Sequence, residues 1–265
     1  MKNIFIIGDY IRDQYVFGAA TRLCPEGPVP VIVPYEFRET DGGAGLVMQQ
    51  LRALGFANNE AWMWYGSESI KLRVFADDHL MTRLDFDSIK VSNPHQYEKE
   101  IVGVLKKTNV GLLIISDYSK GALTQWSAGR IMQAAKILDI PVLVDAKHHW
   151  SWYHGALAMF PNEKEMMPNT KVCTWTVRKL GKRGCEVNGL IIPTNERTVR
   201  DTTGAGDVFL AGFAYKLLPR LQVCGAGNLT IDDITECATF GNLIAGKSVE
   251  SVGTKIVSLH ELEGE

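Results

Sequence analysis

The sequence predicts an α/β fold in a single domain spanning residues 1–265, on three observations. Short apolar runs of strand length alternate with segments of helical periodicity. Between the runs at 111–115 and 141–144, residues 123–138 have the length of a right-handed crossover helix. Residues able to carry chemistry cluster just beyond the strand ends, where an open parallel sheet leaves its ligand crevice.

Residues 4–7, four consecutive apolar side chains, read as a first strand buried on both faces. Residues 44–54 follow as a helix whose apolar positions are Leu46, Val47, Leu51 and Leu54. Further strands are expected at 111–115, 141–144, 156–160 and 172–177, with 123–138 a crossover helix between the first two and 208–218 a later helix. Two pieces do not fit crossovers. Residues 29–35 are bracketed by prolines, and 71–76 with 79–86, joined at Asp77-Asp78, read as a hairpin with Arg73, Arg83 and Asp85 among its polar positions. Together they predict a small β-lid over the main sheet, near 14–37 and 70–87. No internal repeat or low-complexity segment interrupts the chain.

Composition narrows the function classes. The formal charge of -2 with no basic run argues against a nucleic-acid surface, so any phosphate chemistry must be local. The five cysteines, Cys24, Cys173, Cys185, Cys224 and Cys237, are odd in number and contain no C-x-x-C pair, which indicates neither a disulfide framework nor a zinc site. A reducing cytoplasm fits. The first apolar run stops at Gly8-Asp9, short of a signal-peptide core or a membrane span, so neither export nor anchoring is expected.

The most informative segment is Asp201-Thr202-Thr203-Gly204-Ala205-Gly206-Asp207, which opens the helix at 208–218. A two-glycine turn can bring bare N–H groups against a phosphate, and the helix adds the positive end of its dipole there. A carboxylate beside such an anion hole repels the ligand unless it handles a proton or a metal, so Asp207 points to phosphoryl transfer onto a hydroxyl. An acid favoured by the dipole in a first helical turn would also explain it. Next to that helix start, Asp207 is expected to stay ionised and weakly basic.

Other strand ends supply the remaining parts. Asp9 and Asp13 leave the first strand, and Gly42-Gly43-Ala44-Gly45 opens the next helix; both could meet a polyol, or simply make turns and caps. Lys120 and Lys147 follow later strands and suit a phosphorylated substrate, though either could be a solvated surface lysine. Asn162 and Glu165 would share one side of a first helical turn, offering oxygens to hydrated magnesium or serving as a helix cap.

These motifs, in this order, resemble the ribokinase-like, or PfkB-type, carbohydrate kinases. Within that family the likeness is closest to heptose-7-phosphate kinase domains of ADP-heptose synthesis. It is carried by residues 8–13, by Arg22-Leu23-Cys24-Pro25-Glu26-Gly27-Pro28-Val29-Pro30-Val31, by Arg83-Leu84-Asp85, by Ser116-Asp117-Tyr118-Ser119-Lys120-Gly121, by Val144-Asp145-Ala146-Lys147 and by 201–207. The resemblance implies a three-layer α/β/α fold with a β-lid, a surface through which such kinases often form homodimers. It implies Asp207 as the base for the acceptor hydroxyl and Gly204, Ala205 and Gly206 as the anion hole. Asp13, Gly42 and Gly43 become sugar contacts, with Lys147 a partner of the sugar's own phosphate. Asn162 and Glu165 organise magnesium and nucleotide phosphates, Gly181 and Gly184 form the nucleotide-side turn, and Asn242 lines the purine pocket. Asp201 and Thr203 could add a potassium site. The implied reaction is ATP-dependent phosphorylation of the anomeric hydroxyl of D-glycero-D-manno-heptose 7-phosphate to the 1,7-bisphosphate. Another sugar or sugar phosphate, or a degenerate binding protein, stays open as the alternative.

Departures from the family pattern are equally definite. Leu46 stands where an asparagine amide commonly holds a sugar hydroxyl. Residues 57–69 are too few for the helix and strand relatives usually insert there, so about one βα unit is expected to be missing, with Trp62, Trp64 and Tyr65 packed over the sheet edge. The turn from Lys179 to Gly184 is basic where relatives often carry an acid, which would either strengthen phosphate attraction or simply be solvated. There is no P-loop, no G-x-G-x-x-G after the first strand and no His-x-x-His nucleotidyltransferase element, so the second activity fused to some heptose kinases is not expected.

Overall fold

Strand β1, Asn3–Leu23, organises the molecule, seen in a computed structural model that describes residues 3–77, 79–165, 172–195, 197–251 and 253–262, with 88, 89 and 91 by backbone alone. Its first residues alternate between two cores: Ile4 and Ile6 enter one, Phe5 and Ile7 the other. Along one edge β1 pairs in parallel with β3, Ala61–Ala76. The other edge is shared. The parallel strand β5, Val110–Asp117, pairs with Asn3 through Gly8, and the antiparallel β2, Pro30–Gly43, takes over from Tyr10 to Leu23. The sheet therefore forks at Asp9, with one branch staying in the core and the other rising into the lid.

The remaining strands are β4, His79–Val91, β6, Val142–Ala146, β7, Ala156–Met159, β8, Cys173–Lys179, β9, Cys185–Val187, and β10, Leu190–Ile192. The sheet has ten strands in the order β10-β9-β8-β7-β6-β5-β1-β3-β4, with β2 added on β1. From β1 the chain builds outward through β3 on one side and through β5, β6, β7 and β8 on the other. The order reverses between β1 and β5, which is the switch point where open α/β sheets bind ligands.

Helices cover both faces, as three α/β/α layers require. Helix α1, Ala44–Ala53, lies with α4, Ala205–Cys224, and α5, Ile231–Ser248, over the Ile4 and Ile6 face. On the opposite face, α2, Pro94–Lys107, and α3, Gln125–Ile137, pack on Phe5 and Ile7. The sequence reading did not anticipate α2 or α5, although both carry start signals: Asn93 caps α2 ahead of Pro94, and Thr230 with Asp233 closes a capping box on α5.

Two expected elements differ in extent. The first strand continues past residue 7 because β2 and β3 satisfy its backbone, so its polar second half needs no two-sided burial. The lid hairpin is β3 with β4, turning at Asp77 with φ 47°, while Asp78 lies outside the described residues. Residues 54–60 pass directly from α1 to β3 with no helix between, and a single strand then serves both core sheet and lid. That is how the chain does without a βα unit. The Trp62 ring centre lies 5.7 Å from that of Phe5 in a tilted contact, and Trp64 and Tyr65 are each 41% exposed, with the Tyr65 ring centre 5.0 Å from that of Tyr10.

Candidate active site

The fork in the sheet builds the site. Gly8 has φ 140° and lies so close to β5 that a Cβ there would stand 1.9 Å from the Ser116 carbonyl oxygen. Only glycine allows β1 and β5 to approach this closely before they part. Into the opening points Asp9, fully buried, whose carboxylate accepts from the Ser67 hydroxyl and from the backbone N–H groups of Tyr118 (2.7 Å), Lys120 (3.1 Å) and Ala122 (3.1 Å). Asp9 thus holds the 118–122 loop in place. The polyol contact considered for it does not fit a carboxylate so fully occupied.

That loop delivers Tyr118 to Asp207. Asp207 sits in the first turn of α4 behind Gly204, which has φ 75°, and is 2% exposed. The Tyr118 hydroxyl donates to its two carboxylate oxygens at 2.9 and 2.8 Å. Burial, then the negative charge of Asp145, push Asp207 up to about 7, against the opposing pull of Lys147, the Tyr118 hydrogen bond and Lys179. The expectation of an ordinary ionised carboxylate is corrected here: the helix dipole acts, but desolvation and a second carboxylate outweigh it. A carboxylate poised near neutrality suits a general base far better.

A charged cluster surrounds this pair. Lys147 reaches Glu165 at 3.0 Å and Asp145 at 3.8 Å, and its ammonium stands 4.8 Å from the centre of the Tyr118 ring. Although burial pulls Lys147 down, Asp145, Glu165 and Asp207 hold it above the usual lysine value. Lys179 donates to the second Asp145 oxygen at 2.5 Å. The other Asp145 oxygen, buried, has no hydrogen-bond partner among the described residues.

Comparisons with known proteins address what this arrangement belongs to. Residues 152–261, which include Asn162, Glu165 and the whole 201–207 turn, match the pfkB family carbohydrate kinase model. Over that stretch the chain is PfkB-like. It is 30% identical to the bifunctional protein HldE of Geobacter metallireducens, over 99% of this chain and 62% of that protein. It is 29% identical to HldE of Escherichia coli O9:H4, over 98% of this chain and 62% of that protein. The chain thus spans less than two thirds of the length of these curated relatives. Among solved structures it is similar to Escherichia coli phosphofructokinase-2 crystallised with potassium, at 16% identity and TM-score 0.76 over 99% of this chain and 97% of that one. It is also similar to the ribokinase of Giardia lamblia, at 17% identity and TM-score 0.71 over 99% of both chains. These likenesses establish the ribokinase-like fold.

Within this fold, the predicted site residues fall into three groups. Asp13 and Gly42 meet on the lid side: Asp13 pairs with Arg73 of β3 at 2.6 Å, and a Cβ on Gly42 would lie 2.6 Å from its carboxylate. Gly43, with φ 58°, passes the Asp9 carbonyl so closely that a Cβ would stand 2.6 Å from it. Lys120 reaches Asp87 of β4 at 2.5 Å, and Lys71, pushed below its usual value by burial, stands 5.5 Å from the Tyr118 ring centre.

The second group lies across Tyr118. Asn162 accepts from the Lys164 and Glu165 amides, and Glu165 accepts from the Asn162 amide, the reciprocal bonds of a capping box, in line with the cap expected there. Residues 166–171, which follow, lie outside the described residues. Lys147 joins Glu165 here, and it shares the Tyr118 ring with Lys71 of the first group. Gly181, with φ 59°, and Gly184, with φ 90°, shape the basic turn after β8.

The third group is structural in this conformation. Asn242 is 6% exposed and its amide N–H donates to the Ile192 carbonyl at 3.1 Å, tying α5 to β10 instead of opening onto a pocket. Asp201 accepts from the amide and hydroxyl of Thr203 at 2.8 and 2.7 Å and from the Gly253 amide at 2.9 Å. Burial pushes Asp201 up, and these hydrogen bonds bring it below the usual carboxylate range. Leu46 is buried against the turn itself: a Cβ on Gly204 would fall 2.4 Å from its side chain.

Sequence reasoning quoted the strings containing Tyr118 and Asp145 without assigning either a part in the chemistry, and weighed Lys179 only as one charge of a basic turn that could attract phosphate. The signal was present for two of them, because Asp145 directly follows the expected strand at 141–144 and Lys179 lies two residues beyond the one at 172–177.

Proposed function

We propose that this chain is an ATP-dependent sugar kinase that phosphorylates the anomeric hydroxyl of D-glycero-D-manno-heptose 7-phosphate. One observation carries the reading: a buried carboxylate at a helix N-terminus, pushed up to about 7, already holds a hydroxyl group in hydrogen-bond contact, that of Tyr118. An acceptor alcohol replacing that phenol would have its proton facing Asp207, and the amides of Gly204, Ala205 and Gly206 would face the transferring phosphoryl group. Because the transition state is loose, positioning supplies most of the acceleration and proton removal comes late.

The residues fit the divalent cation that such a reaction needs. Glu165 and Asn162 offer oxygens, and the unpartnered oxygen of Asp145 lies 3.8 Å from the ammonium of Lys147, which also pairs with Glu165. Glu165 and Asn162 would hold magnesium through water, and the ion would neutralise phosphate charge. Asp201 and Thr203 could take potassium only by giving up part of the hydrogen bonding that now occupies both Asp201 oxygens. Asp13, Gly42 and Gly43 bind the sugar in this reading, with Lys71 and Lys120 on the same side suited to its phosphate. Gly181 and Gly184 border the nucleotide.

The heptose assignment rests on the motifs of the chain and on the roughly 30% identity to HldE proteins. The lid exposes Val33, Tyr35, Phe37, Leu80, Met81, Leu84 and Phe86, which supports a second copy of this chain as its partner. No described helix is long and apolar enough to cross a membrane, and a cytoplasmic setting belongs to the proposal. Coupled measurement of ADP release with a panel of sugar phosphates tests the function. Turnover is expected with the heptose 7-phosphate. Turnover with another sugar alone would move the substrate, and thermal stabilisation by ligands without any turnover would replace the kinase with a binding protein.

A further inference from the structure

Lys179 ends β8, where its amide donates to the Pro161 carbonyl at 2.8 Å, and its side chain is 13% exposed. The ammonium crosses to the start of α4. A Cβ placed on Gly206 would lie 3.2 Å from Nζ of Lys179 and 3.8 Å from an Asp145 oxygen. A cation is thus parked against the positive end of a helix, an arrangement that repels itself unless an anion stands between. In this structure Asp145 is that anion, at 2.5 Å and 1% exposed.

Asp145 serves in this place incompletely. One of its oxygens takes the Lys179 hydrogen bond, while the other is buried with no hydrogen-bond partner among the described residues and has Lys147 at 3.8 Å. A structural ion pair this deeply buried is ordinarily completed by further hydrogen bonds. This pair is left incomplete, and the Lys179 ammonium and the helix start face the same point, which an anion entering in place of Asp145 would share between them.

We propose that Lys179 is a catalytic residue whose ammonium contacts the terminal phosphoryl group of the bound nucleotide, with Asp145 holding the ammonium in position until nucleotide arrives. The inference rests on the kinase reading above. In the step it serves, the bond from the terminal phosphorus to the bridging oxygen of ADP breaks and the bond to the acceptor oxygen forms. The acceptor proton passes to Asp207, and ADP leaves with its charge. Lys179 neither gives nor takes a proton. It offsets charge on the phosphoryl oxygens, for which the helix amides alone provide only partial charges.

The test compares two nucleotides and needs no knowledge of the sugar. Binding of ADP and of adenylyl imidodiphosphate, a non-hydrolysable triphosphate, is measured by calorimetry with magnesium for the native protein and for Lys179→Met. The triphosphate is expected to weaken about 10- to 100-fold and ADP less than about 3-fold, because a charged hydrogen bond to the terminal phosphate alone is lost. Equal weakening of both nucleotides, or of neither, overturns the proposal and leaves Lys179 as a structural partner of Asp145. Should Lys179→Met fail to fold with Asp145 left unpaired, the same ratio is read for Lys179→Met with Asp145→Asn against Asp145→Asn alone. Native protein that binds neither nucleotide would instead refute the kinase reading, so the two failures are separable.

Discussion

The hydroxyl of Tyr118 donates to the two carboxylate oxygens of Asp207 at 2.9 and 2.8 Å, so the candidate base meets its own chain where an acceptor would stand. Tyr118 is itself held far above the usual phenol value, first by burial and then by Asp207 and Asp145, and stays a hydrogen-bond donor at any working pH. Its bond to Asp207 lowers that carboxyl's affinity for a proton. In Tyr118→Phe the acid limb of kcat/KM should therefore move to higher pH, a change that simple loosening of the loop would not cause. A limb left in place would mean the phenol does not touch the working base.

Asp207 itself sets two pH dependences. Activity of the native enzyme should rise as pH passes through about 7, where the carboxyl loses its proton. Asp207→Asn should lower kcat by about 10²- to 10⁴-fold while nucleotide binding survives.

Stability should respond in the opposite sense. A carboxyl raised from 3.8 in the unfolded chain to about 7 in the folded one stabilises the fold while protonated, and that contribution disappears as pH rises through this window. Denaturant titrations should show Asp207→Asn gaining on the native protein between pH 4 and pH 8. A difference that is flat across that range would show that Asp207 titrates normally.

Leu46 packs with Leu54, Val208 and Ile244 in an apolar cluster behind the anion hole. Restoring the amide that relatives commonly carry, by Leu46→Asn, should destabilise the fold by about 2–4 kcal/mol in urea titrations, combining lost burial with a buried amide. Equal or greater stability together with tighter sugar binding would show that the position faces the substrate.

Asp9 anchors three backbone amides of the loop that carries Tyr118, together with the hydroxyl of Ser67 on β3. Asp9→Ala leaves these donors buried without an acceptor and should cost about 3 kcal/mol or more. Hydrogen exchange should accelerate at residues 118–122 ahead of β5. Uniform acceleration would indicate a general loss of stability instead.

The alternation of strands and helices, the lid hairpin, the missing βα unit and the 201–207 turn were all legible in the chain, because each depends on neighbours within about a dozen residues. Apolar runs, proline and glycine punctuation, and a two-glycine turn before a helix have local physical causes. The extent of β1 was not legible, since its polar second half is a strand only because β2 and β3 pair with it. Asn242, Asp201 and Asp9 were recognisable as polar residues near a site, but which partners occupy them depends on segments far off in sequence.

What the sequence determined by itself is the set of parts: a two-glycine turn at a helix start, a carboxylate in the first turn behind it and lysines at strand ends, on a ribokinase-like α/β scaffold. Tertiary structure alone decided the state of that carboxylate. A proton's affinity for Asp207 depends on how much water reaches it and on charges contributed by β5, β6 and β8 segments, through Tyr118, Asp145, Lys147 and Lys179, none of them its neighbours in the chain. Solvation and Coulomb energy are set by distances through space, and only the folded sheet, forked at Asp9, brings those groups together.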